Sequence, residues 1–421
     1  MRERRALKVL VSASAFSPIR GSEFAVGWDY VRAIASRHKV WVIARGTEEE
    51  ETREYLRQHP DAMSNVEVHF IPLKGRSFHF SFLDALYYSL IYRRWQLRAY
   101  RLACDLDAQI DFDLIHHVTG TGFREPGYLW KIGKPFVWGP VGGLQFFPAN
   151  LLNAVRFRAR PHFVLKNLST AWEMYVSRRP RSAAAAAKVI LAGSSNVADK
   201  IRSLWGRDAT VLCQVSSPDL DLRPPVQRGV GEALRIIWSG TCEPRKALNI
   251  VLFALEKLNP SLIDWRLVVV GDGPLLNEWK ALSSNLGIRD RCSFVGRVPR
   301  SDALFIMATG HCFVLSSLYE GTPAVVVEAL AYGLPVICLD HFGMKDVVSA
   351  ECGVKITPDK LDHVIQEFAK AIEAIGLNED RRYEMAIAAQ SAAQRLSVKS
   401  KAEVINDIYE RIMPSPGLDE G

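Results

Sequence analysis

The sequence predicts an α/β protein of two units, and three observations lead there. The chain has 421 residues, more than one hydrophobic core usually organises. Short β-branched apolar runs, each followed by a turn and a helical pattern, recur from end to end. The charge is also divided: residues 1–215 carry net +12 and residues 216–421 net −5, which the overall +7 conceals. An apolar share of 48% with 24% charged residues is ordinary for a soluble globular protein. The seven cysteines are odd in number and contain no C-x-x-C, against a disulfide framework or zinc site and for a reducing compartment.

Taken in order, Leu7–Ser12 reads as the first strand. Arg2-Glu3-Arg4-Arg5 before Leu7–Ala15 imitates a signal peptide, but Lys8 interrupts it and Phe16-Ser17-Pro18 follows at once. No run reaches the ~18 apolar residues of a membrane span. The chain is therefore expected to be cytoplasmic and unprocessed. A turn with Gly21, where backbone can approach a ligand closely, leads into a helix over Phe24–Ser36. Strands are expected at Val40–Ala44, Val66–Ile71, Asp113–His117 and Lys134–Trp138, the last entering Gly139-Pro140-Val141-Gly142-Gly143. Ala183–Ala187 and Lys188–Ala192 read as the last helix and strand of a first domain, 1–218. Residues 219–231, rich in Pro and Gly, read as a linker.

Two segments of the first half combine arginine with aromatic side chains. Residues 78–104 hold Phe78, Phe80, Phe82, Tyr87, Tyr88, Tyr92, Trp95 and Tyr100, with Arg94, Arg98 and Arg101 at helical spacing. Residues 146–182 hold Arg156, Arg158, Arg160, Lys166, Arg178, Arg179 and Arg181 against one acid, Glu173. Such segments suit an anionic membrane surface or a lipid-linked acceptor; the alternative is packed helices with solvated basic faces. Nothing resembles a nucleic-acid module.

The second domain, 232–398, opens with a strand at Leu234–Trp238. Gly240 and Glu243-Pro244-Arg245-Lys246 follow, then a helix with Leu248, Val251, Leu252, Leu255 and Leu258 on one face. Arg245 and Lys246 are expected in its first turn, where the helix dipole disfavours cations; a bound diphosphate would explain the pair. Leu267–Val270 is a buried strand ending in the turn Gly271-Asp272-Gly273-Pro274, and Phe294–Val298 is the next strand. His311–Leu315 is another, followed by Ser316–Gly321 and a helix over Pro323 to about Tyr332, with Thr322 as N-cap and Gly333 as stop. Amides of Gly321, Thr322 and Ala324, on either side of Pro323, would face an anion. Thr322 to Glu328 spans roughly 9 Å of helix rise, about the separation of the polyol ends of a sugar–diphosphate–ribose unit. Glu320 and Glu328 are carboxylates suited to vicinal hydroxyls. Lys401–Ile412 reads as the final helix of a segment 399–421.

Glu320 through Ala329, with Gly333-Leu334-Pro335-Val336, resembles the E-x7-E signature of retaining GT-B glycosyltransferases of family 4, the group 1 glycosyltransferases. The resemblance is strongest over Leu234–Gly353. It implies a GT-B fold: two Rossmann-like domains facing a central cleft, with the C-terminal helix crossing back to the first. It implies that Glu320 contacts the donor sugar and Glu328 the ribose, with Arg245 and Lys246 on the diphosphate. It places Gly21, Gly240, Gly271 and Gly273 in donor loops, Arg297 and Val298 near the nucleobase, and His117 on the acceptor side; strand alternation leaves His116 as its rival. Departures are Thr241 for the usual Arg, Ala247 for the usual Gly, and a loop with Gly21 alone of its glycines. The implied reaction moves a hexose from a UDP- or GDP-sugar to a saccharide or lipid-linked acceptor, with nucleotide sugar as co-substrate and no metal. D-x-D occurs at Asp105-Leu106-Asp107, Asp111-Phe112-Asp113 and Asp219-Leu220-Asp221, none placed to coordinate a diphosphate-bound metal. A GT-B epimerase and a degenerate nucleotide-sugar-binding scaffold are the alternatives.

Overall fold

A computed structural model describes residues 5–73, 82–120, 122–219 and 224–413. The described chain divides into two compact units, the first drawn from 1–144, 172–216 and 398–421, the second from 145–171 and 217–397. The expected first domain ran unbroken over 1–218, so the return of 145–171 to the second unit is a difference. Its cause is burial: Phe147, Leu151, Val155 and Phe163 join the same apolar cluster as Leu248, Leu252 and Trp265. Asn249 Nδ2 also donates to the Ala154 carbonyl at 3.0 Å. Residues 220–223 of the expected linker lie outside the described residues.

Among the described residues the first unit holds seven strands: β1 (Lys8–Ser12), β2 (Lys39–Arg45), β3 (Val66–Ile71), β4 (Leu114–His117), β5 (Phe136–Val141), β6 (Val189–Ala192) and β7 (Thr210–Val211). Their order is β3-β2-β1-β4-β5-β6-β7, and the pairings are parallel. Runs such as Val9-Leu10-Val11 are buried throughout because helices cover both faces of a parallel sheet. The sequence reading took β6 as the last strand of this domain; the helix Ser195–Trp205 and the short β7 follow it. Ser194 caps that helix through its Oγ, and Gly206 ends it in the left-handed region.

The helix Phe82–Ile110 corrects half of the surface expectation. Tyr92 and Trp95 are core residues: Tyr92 Oη donates to Ser14 Oγ at 3.2 Å and Trp95 Nε1 to the Ile71 carbonyl at 3.2 Å. Arg94, Arg98 and Arg101 are exposed. Phe78 and Phe80 lie outside the described residues, as do the side chains of Phe82, Tyr87 and Tyr88.

Six strands form the second unit's described sheet: β8 (Leu234–Ser239), β9 (Trp265–Val270), β10 (Cys292–Gly296), β11 (Cys312–Leu315), β12 (Val336–Leu339) and β13 (Gly353–Ile356), in the order β10-β9-β8-β11-β12-β13. β10 ends at Gly296, so Arg297 and Val298 stand in the following loop instead of the expected strand. Gly296 has φ 82°, which turns the chain out of the ladder there.

The last helix, Val398–Ile412, belongs to the first unit. Ile405, Ile408 and Tyr409 are buried against Val31 and Ile34 of the helix Glu23–Ala35. Lys401 is buried there too. Its Nζ donates to Ser216 Oγ at 2.8 Å and the Gln214 carbonyl at 3.1 Å, and lies 4.2 Å from the Tyr30 ring centroid. Burial lowers its pKa from 10.5 to about 8. The unfolded chain therefore binds more protons between those values, and stability rises with pH across that window. Denaturant titrations at pH 8 and 10 should show this rise in the wild type and a smaller one in Lys401→Met; equal rises would refute it.

Candidate functional site

In open parallel sheets ligands gather at the carboxyl ends of the strands, where the strand order reverses. In the second unit that point lies between the neighbours β8 and β11. The loop after β8 carries Gly240 to Lys246, and the loop after β11 carries Ser316 to Pro323. They are tied together: the Leu318 amide donates to the Arg245 carbonyl at 2.7 Å, and Ser316 Oγ to the Ala247 carbonyl at 2.8 Å.

The same ties bring the cations to the first carboxylate. Lys246 Nζ lies 2.5 Å from Glu320 Oε1, and Arg245 Nη1 lies 2.6 Å from it. Arg245 Nη2 also meets Glu243 at 2.6 Å, and its Nη1 donates to the Tyr319 carbonyl at 3.2 Å. Lys246 and Glu320 are nearly buried, whereas Arg245 is about one-third exposed. Two cations and two carboxylates thus neutralise one another, and an incoming diphosphate would have to exchange with Glu320 for the cations.

One expectation about this loop is corrected. Arg245 and Lys246 are not in the first turn of an α-helix; Pro244–Lys246 is a 3-10 turn, and the helix begins at Leu248. Ala247 between them has φ 47° and ψ 43°. It holds the left-handed conformation in which a glycine is ordinarily favoured, so the Gly-to-Ala departure leaves the turn's shape available.

A second correction concerns the next helix, which spans Ala324–Ala331. Pro323 is its N-cap at φ −72° and ψ 130°, so Thr322 lies one residue outside the cap. Thr322 Oγ1 is buried without a hydrogen-bond partner, as is Ser317 Oγ. A Cβ on Gly343 would fall 2.0 Å from Thr322 Oγ1, and the Gly343 amide donates to the Gly321 carbonyl at 3.2 Å, so this loop sits tightly on its neighbour. Glu328 is nearly buried in the helix, and Arg300 Nη2 reaches its Oε1 at 2.6 Å.

Two of the three strand-end glycines are needed by close backbone approach. A Cβ on Gly271, at φ 136°, would lie 1.9 Å from the Gly240 carbonyl oxygen. One on Gly273, at φ 152°, would lie 2.7 Å from the Cys242 carbonyl oxygen. Gly240 itself faces Lys246, whose Cε would be 3.4 Å from an added Cβ. Gly240, Gly271 and Gly273 therefore come together beside Lys246, while Arg297 and Val298 follow Gly296, whose carbonyl accepts from the Gly271 amide at 2.8 Å.

Gly21 and His117 belong to the first unit and are described with it. There the order reverses between β1 and β4; Gly21 is in the loop after β1 and His117 closes β4. The structure separates the two histidines. His116 Nδ1 meets Tyr409 Oη at 2.7 Å and its Nε2 the Gly139 carbonyl at 2.8 Å, a fully bonded core residue. His117 is equally buried, yet neither ring nitrogen reaches a hydrogen-bond partner. Burial lowers its pKa to about 4, so the ring is neutral at pH 7.

Sequence reasoning missed Arg300 and His341, and counted Lys166 only among the surface cations of 146–182. Lys166 Nζ lies 3.9 Å from the Tyr319 ring centroid, one residue from Glu320. His341 Nε2 is 2.9 Å from the Ser317 carbonyl, which can only accept, so Nε2 carries the proton. Burial pulls this ring down to about 4 against that bond and the charge of Glu320. No local motif marks these residues, because each reaches the site from a distant element. Among the described residues no cluster of three or more His, Cys, Asp or Glu is placed to hold a metal.

Comparison with known proteins bears on the same region. Residues 226–392 match the family model described as Glycosyl transferases group 1. An uncharacterized glycosyltransferase of Methanocaldococcus jannaschii is 32% identical over 125 residues, 30% of each chain. The lipopolysaccharide core biosynthesis mannosyltransferase LpsB of Rhizobium meliloti is 26% identical over 69% of this chain and 84% of its own. The first relatives are matched over about a third of their length, between 29% and 34%. The structure of Anabaena Alr3699/HepE in complex with UDP superimposes with a TM-score of 0.62 at 19% identity, covering 96% of this chain and all of that one. The lipopolysaccharide outer core galactosyltransferase WaaB gives 0.63 at 16% identity, with 96% and 100% covered. The chain therefore has the GT-B fold of these glycosyltransferase structures, and its second unit carries the sequence pattern of the group 1 glycosyl transferases.

Proposed function

We propose that the protein is a retaining family 4 glycosyltransferase. It moves a hexose from a UDP- or GDP-sugar to a saccharide or lipid-linked acceptor, in the synthesis of bacterial cell-surface polysaccharide or glycolipid on the cytoplasmic side of the membrane. The observation that carries this reading is the meeting of Arg245 and Lys246 on Glu320, with Glu328 in the helix that follows. The family match over 226–392 and the likeness to a lipopolysaccharide core mannosyltransferase support it.

In this reading Arg245 and Lys246 transfer from Glu320 to the diphosphate and stabilise the charge that grows on it as the glycosidic bond breaks. Amides of Gly321, Thr322, Pro323's successor Ala324 and the helix dipole add to that field. Glu320, released from its cations, accepts from the sugar hydroxyls, and Glu328 leaves Arg300 for the ribose. Gly240, Gly271 and Gly273 let backbone come close to the donor, and the backbone at Arg297 and Val298 meets the base. Gly21 and His117 serve the acceptor side. The acceptor hydroxyl attacks on the face the leaving phosphate departs from, and that phosphate takes its proton. The cations and helix N-terminus carry the diphosphate charge without a metal cofactor.

A screen of donor hydrolysis across UDP-, GDP- and ADP-sugars tests the proposal, with a 2′-deoxyribose analogue of any active donor. One donor class should release free nucleoside diphosphate, with the anomeric configuration retained in the sugar. The deoxy analogue should bind more weakly by about 1.5–3 kcal/mol, the range of a lost hydrogen bond to a charged group. No release from any donor sinks the transferase reading; an equally good deoxy analogue sinks the ribose role of Glu328.

A further inference from the structure

The helix Arg160–Val176 is apolar on both of its faces. Phe163, Thr170 and Met174 are buried on one side. On the other, Leu165 is 65% exposed, Leu168 62%, Trp172 68% and Tyr175 61%, with Val176 and the preceding Phe157 also exposed. Positions 165, 168, 172 and 175 fall on a single helical stripe about 15 Å long. A helix that simply meets water carries polar residues there, so this contiguous stripe needs a partner.

The surrounding charge says which partner. Arg156 and Arg158 precede the helix and Arg178 and Arg181 follow it, all four exposed, with Arg156 sharing its charge with Glu278 at 2.6 Å. Arg181 Nη2 donates to the Tyr175 carbonyl at 2.8 Å, holding one cation at the helix C-terminus. The helix has one acid, Glu173, and it is ion-paired with Arg124. A second copy of the chain would set these arginines against their own kind. An anionic bilayer surface instead accepts the cations among its headgroups and the apolar stripe just below them, with Trp172 and Tyr175 at the level that suits amphipathic rings.

We propose that this helix is a membrane-docking element that lies flat in the headgroup region of an anionic bilayer, inserting Leu165, Leu168, Trp172 and Tyr175. The proposal goes beyond the transferase reading and stands without it. It also moves the surface away from residues 78–104, where Tyr92 and Trp95 are core.

The test uses the full chain with two kinds of vesicle, phosphatidylcholine alone and phosphatidylcholine with phosphatidylglycerol. At low salt the protein should sediment with the anionic vesicles and stay in solution with the neutral ones, and raised salt should release it. The triple variant Leu165→Gln, Leu168→Gln, Trp172→Gln should lose at least about tenfold of the bound fraction with unchanged melting temperature, because these side chains are exposed. Brominated acyl chains should quench the fluorescence difference between wild type and Trp172→Phe. Wild type left in the supernatant overturns the proposal, and so does equal binding by the triple variant. A dimer in light scattering that the triple variant dissolves would also overturn it, making the stripe a self-association face.

Discussion

Lys246→Ala should weaken the binding of free UDP or GDP by about 1.5–3 kcal/mol, the cost of one charge-assisted contact. That is roughly a ten- to 150-fold rise in Kd, within the reach of calorimetry. Lys246 is the stronger choice of the two cations because it is nearly buried and its ammonium faces Glu320 at 2.5 Å. Arg245 is more exposed and shared with Glu243, so solvent screening reduces its share. The substitution should spare the fold, since Arg245 remains beside Glu320 and its carboxylate keeps a cation. Unchanged diphosphate affinity in the Arg245→Ala, Lys246→Ala double variant would remove the diphosphate from this loop.

Glu320→Gln should do the opposite to binding and more to turnover. The carboxylate competes with a diphosphate for both cations, so its neutralisation should leave free nucleoside diphosphate binding as tight as before or tighter. Turnover should fall by about a hundredfold or more, the usual cost of removing one group that acts on the developing charge. Steady-state kinetics beside calorimetry separates the two effects. A parallel loss of kcat and diphosphate affinity would mean that Glu320 only positions Lys246 and Arg245.

Much of this site was legible one segment at a time. Cys312–Leu315 is a buried strand and Ala324–Ala331 a helix because the apolar runs that encode them are contiguous in the chain. The helix start was read one residue early. Pro323 suits both an N-cap and a first-turn position, and the extended conformation it adopts follows from how the loop sits on Gly343. The basic pair was found, but its setting was misread: left-handed Ala247 makes a separate turn of Pro244–Lys246. Of the two histidines, strand alternation could not choose; the hydrogen bonds of His116 to Tyr409 and Gly139 set it in the core.

By itself the sequence determined the α/β alternation, the two-unit count, and the strand–loop–helix around Glu320 and Glu328. These depend on interactions within a few residues, where β-branching, periodicity and turn chemistry act. Tertiary structure alone decided the rest. It set Arg245 on Glu320 across 75 positions and Arg300 on Glu328 across 28. It pressed Gly271 against Gly240, sent 145–171 into the second unit's core, and left the Leu165–Trp172–Tyr175 stripe facing outward. The reason is that local preference selects a segment's shape and not its neighbours. Neighbours are chosen by strand order and by which surfaces bury together, and neither is encoded within any one segment.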